Sequence, residues 1–337
     1  MRKYNIPIFV PHKGCPFDCV FCNQKRITGS IKDVKPDDVT NTIEEYLKTL
    51  PKTDRRVEVA FFGGSFTGIP VVEQNSLMDR VKPYIQSGEI DGIRLSTRPD
   101  YISREILDNL TAHGVTTIEL GVQSLNDDVL NASYRGHTQN DVIKAVGLIR
   151  EYEFALGIQM MTGLPGDNNF SAFETADKII RLKPDFVRIY PTLTIKDTYL
   201  EKMYKSGKYV PQTLTEAVEL CKILLLKFEE NGIDVIRVGL QPTEEINDGA
   251  AVVAGPFHSS FRELVETSIY YDLLKSKIPD DSREIIFEVN PTELSKAIGN
   301  NKSNIKKIKE DIGVTIKIQG NSELRKREVR LVAFKKT

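Results

Sequence analysis

Short apolar runs alternate with amphipathic stretches along residues 6–190, and this alternation limits the fold more than any other feature of the chain. The apolar runs have the length and composition of buried strands, and the amphipathic stretches have helical spacing. Such alternation favours a parallel sheet with helices outside it. We therefore predict an α/β fold in which six strand–helix units form a partial (β/α)6 barrel of the TIM type. The predicted strands are 6–10, 57–62, 92–96, 116–121, 155–161 and 185–190, and the predicted helices are 37–50, 71–85, 103–112, 141–152 and 171–182.

The loop after the first predicted strand holds three of the four cysteines, Cys15, Cys19 and Cys22. Thiolates with this Cys-x3-Cys-x2-Cys spacing can each bind one iron of a [4Fe–4S] cluster, which leaves the fourth iron without a protein ligand. A disulfide framework is disfavoured because the chain is long, poor in cysteine and without a signal peptide. A structural zinc site is disfavoured because no second ligand pair follows and Cys221 stands alone in an apolar helical run. A cluster with one open iron is the interpretation we favour.

The cysteine spacing, with the aromatic Phe21 just before the last cysteine, resembles the signature of the radical S-adenosylmethionine (SAM) enzymes. In that family the amino and carboxylate groups of SAM chelate the open iron, and the aromatic residue packs near the adenine. The resemblance therefore implies two cofactors, a [4Fe–4S] cluster held by Cys15, Cys19 and Cys22 and a SAM molecule beside Phe21.

Five further motifs resemble the radical domain of the elongator catalytic subunit, and oxygen-independent coproporphyrinogen dehydrogenases are similar but more distant. The resemblance covers about residues 5 to 240. The elongator subunit continues into an acetyltransferase domain for which this chain has no length, so we do not expect the complete carboxymethylation reaction. The elongator subunit also spaces its cysteines more widely before the final pair than this chain does. The motifs are FFGGSFTGI (61–69), LSTRPDYI (95–102), ELGVQS (119–124), GLPGD (163–167) and VRIYPTLTIKDTYLEKMYKSGKY (187–209).

The resemblance also implies roles for residues in the loops that follow the predicted strands. The Gly63-Gly64-Ser65 turn is expected to hold the SAM amino group. Arg135 is expected to pair with the SAM carboxylate, for which a guanidinium fork is suited. Ser96 stands where those relatives often carry glutamate, so a ribose contact there is shorter or absent. The remaining expected SAM contacts, to the ribose or the methionine part, are Gln123 and Gln159.

Four residues are candidates for the substrate side of the site. They are chosen only because predicted strand ends and loops would place them facing the cluster. These candidates are Lys13, Arg188, Tyr190 and His258.

The last part of the chain has a different character. Residues 281–337 carry thirteen Lys and Arg against eight Asp and Glu, which leaves +5 there and −6 in the remainder. The predicted elements, with IGNNKSNIKKI at a helix-turn-helix, resemble a KH-type RNA-binding module, in which a Gly-x-x-Gly turn clamps a nucleic-acid backbone. Lys302 occupies the second glycine position, which retains a cation and loses conformational freedom. The residues expected to bind RNA are Gly299, Lys302, Lys306 and Lys307.

These observations predict three segments: a radical SAM core barrel at 1–240, a connecting loop and helix at 241–280, and a small α+β KH-like domain at 281–337. We expect a radical SAM enzyme that modifies RNA, with tRNA favoured and ferredoxin or flavodoxin as electron donor. The alternatives are a radical SAM enzyme for a small molecule such as a porphyrin, and a non-catalytic cluster-bearing RNA-binding or carrier protein. Free thiols and no export signal predict the cytoplasm. We expect no membrane partner, because no apolar run approaches the length of a membrane span. We also expect no DNA partner.

Overall fold

The computed structural model describes residues 2–10, 19–23, 33–242, 246–247 and 250–336. These residues divide into two compact units, each with its own sheet. The first unit spans 1–214 and 224–259, and the second spans 215–223 and 260–337. Within the described residues, no helix is both long and apolar enough to cross a membrane.

The first unit is built on a seven-stranded sheet in which every neighbouring pair of strands is parallel. The strands lie in chain order, β1-β2-β3-β4-β5-β6-β8, and a separate short antiparallel pair is formed by β7 and β9. This order confirms the α/β barrel-type prediction. The strands are β1 Arg2–Val10, β2 Arg55–Gly63, β3 Gly92–Thr97, β4 Val115–Gln123, β5 Ala155–Thr162, β6 Phe186–Pro191, β7 Thr194–Ile195, β8 Asp234–Val238 and β9 Val252–Ala254.

Helices connect the parallel strands, and several begin at a side chain that satisfies free backbone N–H groups. The hydroxyl of Ser103 accepts from the N–H of Ile106, and Asn168 accepts from two N–H groups of the next helix. Thr138 and Asp141 form a reciprocal capping box. The helices are α1 Pro36–Thr49, α2 Val71–Met78, α3 Lys82–Gln86, α4 Arg104–Ala112, α5 Asp127–Ala132, α6 Gln139–Ile149, α7 Asn169–Leu182, α8 Tyr199–Lys205 and α9 Leu214–Glu230.

The structure also contains elements that were not predicted, among them α5, α8, α9, β7 and β9, and it differs from the prediction in two further ways that bear on the site. The predicted helix 71–85 is two helices, α2 and α3, because Pro83 has no N–H to continue the hydrogen bonding of α2. The seventh strand, β8, was not predicted. It is only five residues long, and Arg237 interrupts its apolar pattern.

The second unit places three helices against a three-stranded sheet of order β11-β10-β12, in which β10 is parallel to β11 and antiparallel to β12. Helix Phe261–Lys275, predicted as part of the connecting segment 241–280, supplies Tyr270, Tyr271 and Leu274 to the same core as Ile285 and Phe287. This helix therefore belongs to the packing of the second unit. The elements are α10 Phe261–Lys275, β10 Ser282–Val289, α11 Leu294–Ile298, α12 Ser303–Ile312, β11 Thr315–Gly320 and β12 Val329–Lys336.

Candidate functional site

A cavity of about 640 Å³ lies at the carboxyl ends of the parallel strands in the first unit. Its position follows from the topology, since the carboxyl ends of parallel strands meet at one edge of a sheet. The cavity brings together most of the residues expected from sequence to bind cofactors or substrate. Those that line it are Cys19, Phe21, Cys22, Gly63, Gly64, Ser65, Ser96, Gln123, Arg135, Gln159, Arg188 and Tyr190.

Three expected site residues are not seen at the cavity. Cys15 and Lys13 lie outside the described residues. His258 is described and half-buried, and it is not among the residues that line the cavity. His258 therefore does not share the cavity lining with Arg188 and Tyr190, and its expected role at the substrate side stays a prediction.

The described part of the cysteine loop is held by backbone hydrogen bonds on both sides. The N–H of Val20 donates to the carbonyl of Ser133 at 3.1 Å, and the N–H of Leu200 donates to the carbonyl of Val20 at 2.7 Å. The N–H of Cys22 donates to the carbonyl of Cys19 at 2.9 Å, which closes a turn between the two cysteines. Because Val20 is fully buried, this turn has a fixed place at the cavity.

The turn after β2 needs glycine at its first position. Gly63 has a φ of +111°, and an added Cβ would lie 2.7 Å from the carbonyl oxygen of Val10. The N–H of Gly64 donates to that same oxygen at 3.0 Å. The next residue, Ser65, is buried, with its hydroxyl 2.8 Å from the hydroxyl of Thr97. Backbone, rather than side chains, therefore faces the cavity at the first two positions, and Ser65 links this turn to the end of β3.

Gln123 has unused hydrogen-bonding capacity at the cavity wall. It stands after a register shift in β4, with a left-handed φ of 70°. Its buried Oε1 has no hydrogen-bond partner within the described residues. Buried acceptors are normally satisfied, so this atom fits a ligand that brings a hydrogen-bond donor. Together with the glycine turn after β2, it meets what a SAM molecule would require of the protein.

Arg135 connects the cysteine loop to β4. Its Nη1 donates to the sulfur of Cys19 at 3.4 Å, and its Nη2 donates to the carbonyl of Gly121 at 2.6 Å. Gly121 must be small, because a Cβ there would lie 2.9 Å from Nη2. The Nε of Arg135 is buried and has no partner in the described part of the chain. Arg135 therefore places positive charge at a cysteine sulfur and keeps one donor for an anionic group.

A buried ionic network, not predicted from sequence, supports the cavity from the sheet interior. Glu119 is 0% exposed and contacts Arg94 at 2.8 Å and Arg188 at 2.7 Å. Arg94 also pairs with Glu58 at 2.7 Å. The Nε2 of Gln159 donates to Glu119 at 3.1 Å. Two carboxylates thus balance two guanidiniums, and Glu119 orients a residue expected to bind SAM together with one expected to face the substrate.

The network determines the charge states of its members. Burial alone would raise the pKa of Glu119, but the charges of Arg188 and Arg94 outweigh burial and hold that pKa below the ordinary carboxyl value. Burial opposes the charge of Arg188, and Glu119 more than compensates, so the pKa of Arg188 lies above its usual value. Glu119 and Arg188 are therefore both ionised at neutral pH. The available sequence signal was a charged residue within an otherwise apolar strand.

Arg98 and Arg237 also line the cavity and were not singled out from sequence. Arg98 forms a two-pronged pair with Asp100, with N···O distances of 2.9 and 3.0 Å. Arg237 lies on β8, the strand that the sequence prediction missed. For Arg98, the Arg-Pro-Asp sequence was a usable signal, because proline at the start of a 3-10 turn places Asp100 close to Arg98.

The turn between α11 and α12 in the second unit has an unusual backbone. Gly299, Asn301 and Lys302 have φ values of 75°, 51° and 61°, although only the first is a glycine. Lys302 and Lys306 are exposed. Lys307 is exposed as well, with its ammonium 4.3 Å from the centre of a tyrosine ring. The turn and the start of α12 therefore present cations to solvent.

Asn304 anchors this turn from below. Its buried side chain donates to the carbonyl of Thr267 at 2.9 Å and to that of Ala297 at 3.1 Å. An added Cβ at Gly299 would collide with the hydroxyl of Ser303. The backbone conformation at 299–302 is thus fixed by its surroundings, and Lys302 adopts the conformation that a glycine would favour.

Comparison with known families gives two matches that together cover most of the chain. Residues 9–179, just over half of the sequence, match the radical SAM superfamily. Residues 184–271 match the radical SAM C-terminal domain.

Individual relatives are similar over about half of this chain. The tRNA uridine(34) acetyltransferase of Methanocaldococcus jannaschii is 28% identical over 196 residues, 52% of this chain and 36% of the relative. Elongator complex protein 3 of Homo sapiens is 30% identical over 201 residues, 54% of this chain and 37% of the relative. The chain thus spans little more than a third of the length of these curated relatives.

Among solved structures, the archaeal Methanocaldococcus infernus Elp3 with an N-terminal deletion has a TM-score of 0.61 at 23% identity. The match covers 84% of this chain and 66% of that one. This likeness concerns the fold.

Proposed function

Because the chain belongs to the radical SAM superfamily, it is a radical SAM enzyme that uses a [4Fe–4S] cluster and SAM, and we propose that it modifies RNA, with tRNA as the favoured substrate. The main support for the cofactor site is the cavity itself, at which two cysteines, the glycine turn after β2 and the buried amide oxygen of Gln123 meet. Such a collection of donors and acceptors has no evident purpose in a site without a ligand.

We assign the cluster to Cys15, Cys19 and Cys22. When bound, the cluster and SAM supply an organic radical that removes a hydrogen atom from the substrate. The protein contributes orientation and charge. Arg135 donates to the Cys19 sulfur, and its buried Nε, which has no partner in the described part of the chain, is available to the SAM carboxylate. Gly63 and Gly64 present backbone to the SAM amino group.

The ionic network holds the part of the cavity beyond SAM. Gln159 is fixed by Glu119 and by the hydroxyl of Ser96, to which it donates at 3.3 Å. This bond gives Ser96 an indirect role, in orienting Gln159. Tyr190 and Arg188 also line the cavity, and we expect a polar substrate to contact these two side chains.

The second unit supports RNA as the substrate. Lys302 and Lys306 are exposed, and the left-handed backbone of the turn brings two helix ends together, as in the KH-like arrangement predicted from sequence. The curated relatives named for tRNA chemistry favour the same substrate. We place the reaction in the cytoplasm, where thiol ligands stay reduced, with ferredoxin or flavodoxin as the electron donor.

The decisive experiment is anaerobic incubation of the reconstituted protein with SAM and dithionite, with and without total tRNA. The yield of 5′-deoxyadenosine is read by mass spectrometry. We expect cleavage that tRNA stimulates. Cleavage indifferent to tRNA would favour a small molecule such as a porphyrin, and no cleavage with an intact cluster would favour a carrier protein. The variant Cys19→Ala should lose the cluster and the product, whereas Cys221→Ala should keep both.

RNA binding is tested separately by gel shift over a range of salt concentrations. Point variants are preferable to truncation, because α10 is part of the core of the second unit. Replacing Lys302 and Lys306 by alanine should reduce the slope of log affinity against log salt concentration by about 2 if each contacts one phosphate. The control is Lys317→Ala, an exposed lysine on β11. Equal slopes for both variants would contradict the assignment of this turn.

A further inference from the structure

A bulge in β8 determines which of its side chains faces the cavity. Val187 on β6 pairs with Val235 on β8, but the next residue, Arg188, pairs with Arg237, so Ile236 is an extra residue in β8. Ile236 is 42% exposed. Without the bulge, strand alternation would set Ile236 beside Arg188. With it, two arginines stand side by side on neighbouring parallel strands.

This placement gathers positive charge. The cavity is lined by four arginines, Arg98, Arg135, Arg188 and Arg237, and the described residues that line it include no aspartate or glutamate. Arg98 pairs with Asp100 outside the lining, and Arg135 reaches Cys19. Of these four arginines, Arg188 and Arg237 are the two that the bulge sets side by side.

Arg188 and Arg237 lie at the β6 and β8 end of the strand order, whereas the cysteine loop follows β1 at the other end. Phe62 supports Arg188, whose guanidinium carbon lies 5.6 Å from the ring centre. Tyr190 and Gln241 line the same cavity and add polar groups. The buried Glu119 holds Arg188 from behind: Nη2 donates to its carboxylate at 3.0 Å, and Nε lies 2.7 Å from the other carboxylate oxygen, so the guanidinium has a fixed direction.

We propose that Arg188 and Arg237 form an anion subsite that binds a carboxylate or phosphate group of the substrate. The subsite rests on the proposed function only in that its ligand is taken to be the substrate. Paired guanidinium forks suit both kinds of oxyanion, and the bulge sets these two arginines side by side at the cavity. The bulge is thus a device that aims Arg237 at the substrate.

The test measures anion binding without turnover. Reconstituted protein with an oxidised cluster and saturating SAM is titrated with sodium phosphate or sodium acetate at constant ionic strength. Phosphate is followed by phosphorus NMR line width and acetate by saturation transfer to its methyl protons. We expect binding that is weakened about tenfold or more in Arg237→Gln, as for a lost charged hydrogen bond. The matched control is Arg181→Gln, an exposed arginine at the end of α7.

Phosphate and acetate together show which kind of anionic group the substrate carries. Tighter binding of phosphate indicates a phosphate-bearing substrate, and tighter binding of acetate indicates a carboxylate. Arg237→Lys retains the charge but not the two-pronged guanidinium, so it should keep part of the anion binding. That result would show that the loss of anion binding in Arg237→Gln does not come from misfolding. Binding of neither anion, or equal binding by wild type and Arg237→Gln, would overturn the subsite. Because no reduction is involved, a failure of SAM cleavage would leave this result unaffected and would count against the proposed function alone.

Discussion

Glu119 offers the most direct test of the buried network. Its carboxylate is fully buried between Arg94 and Arg188, at 2.8 and 2.7 Å. We predict that Glu119→Gln lowers the unfolding free energy of the first unit by about 3–5 kcal/mol, since removing one partner of a buried pair leaves charge uncompensated. The amide has nearly the volume of the carboxyl group, so the loss cannot come from a cavity.

The predicted loss depends on pH in a defined direction. The pKa of Glu119 in the folded protein lies below its ordinary value of 4.5, because Arg188 and Arg94 outweigh the effect of burial. A depressed pKa contributes stability that is complete above the unfolded value and is lost as pH falls through the folded value. The difference between wild type and Glu119→Gln should therefore be full at neutral pH and should narrow only below about pH 4.5.

Urea denaturation with hydrogen exchange of peptides from β4 measures this difference within the first unit. The control is Glu151→Gln, which breaks the exposed pair of Arg104 and Glu151 at 2.6 Å and should cause no measurable loss. A loss below about 1 kcal/mol for Glu119→Gln at neutral pH would refute the reasoning, because that is the range of exposed pairs. So would equal losses in the two variants.

Three further predictions follow from backbone and burial. Gly63→Ala should weaken SAM binding in equilibrium dialysis, because its Cβ would lie 2.7 Å from a β1 carbonyl oxygen; Gly147→Ala, which meets no atom within 4 Å, should bind normally. Burial, assisted by two nearby arginines, lowers the pKa of His137 to about 3, so the unfolded chain takes up a proton that the folded one does not as pH falls below 6.5. His137→Gln should therefore remove up to about 1.4 kcal/mol per pH unit from the slope of unfolding free energy against pH between about pH 3 and pH 6.5. Equal slopes in wild type and variant would contradict this prediction. Lys302→Gly should slow hydrogen exchange in the second unit about two- to fivefold by relieving a left-handed φ of 61°, whereas faster exchange would show that the lysine is not strained.

The fold of the first unit was largely predictable because its information is local. The six predicted strands are short apolar runs. Ser103, a residue type that favours the first position before a helix, marks the start of α4 and caps it. The helix predicted at 71–85 was wrong at 79–81, where it breaks just before Pro83, although that proline is plain in the sequence. The strand β8 escaped prediction because five residues with Arg237 among them carry little periodic signal.

The candidate site was predictable in its members but not in its connections. Gln123, Arg135 and Gln159 could be named because the motifs around them resemble those of the radical SAM enzymes. The pairing of Glu119 with Arg94 and Arg188 depends on the register of four neighbouring strands, β3 to β6, which no single stretch of sequence contains. The bulge at Ile236 is a property of two strands together, and so is the charge that it brings to the cavity.

That single extra residue bears on how readily such an enzyme could change its substrate. If β8 kept a regular register, with Ile236 paired to Arg188, Ile236 would face the cavity and the guanidinium of Arg237 would turn outward. The cysteine loop, the glycine turn and the other six strands would be untouched. A charged wall would become an apolar one through a one-residue change of register, so the polarity of this part of the cavity depends on how β8 pairs with β6 as much as on which residues β8 contains.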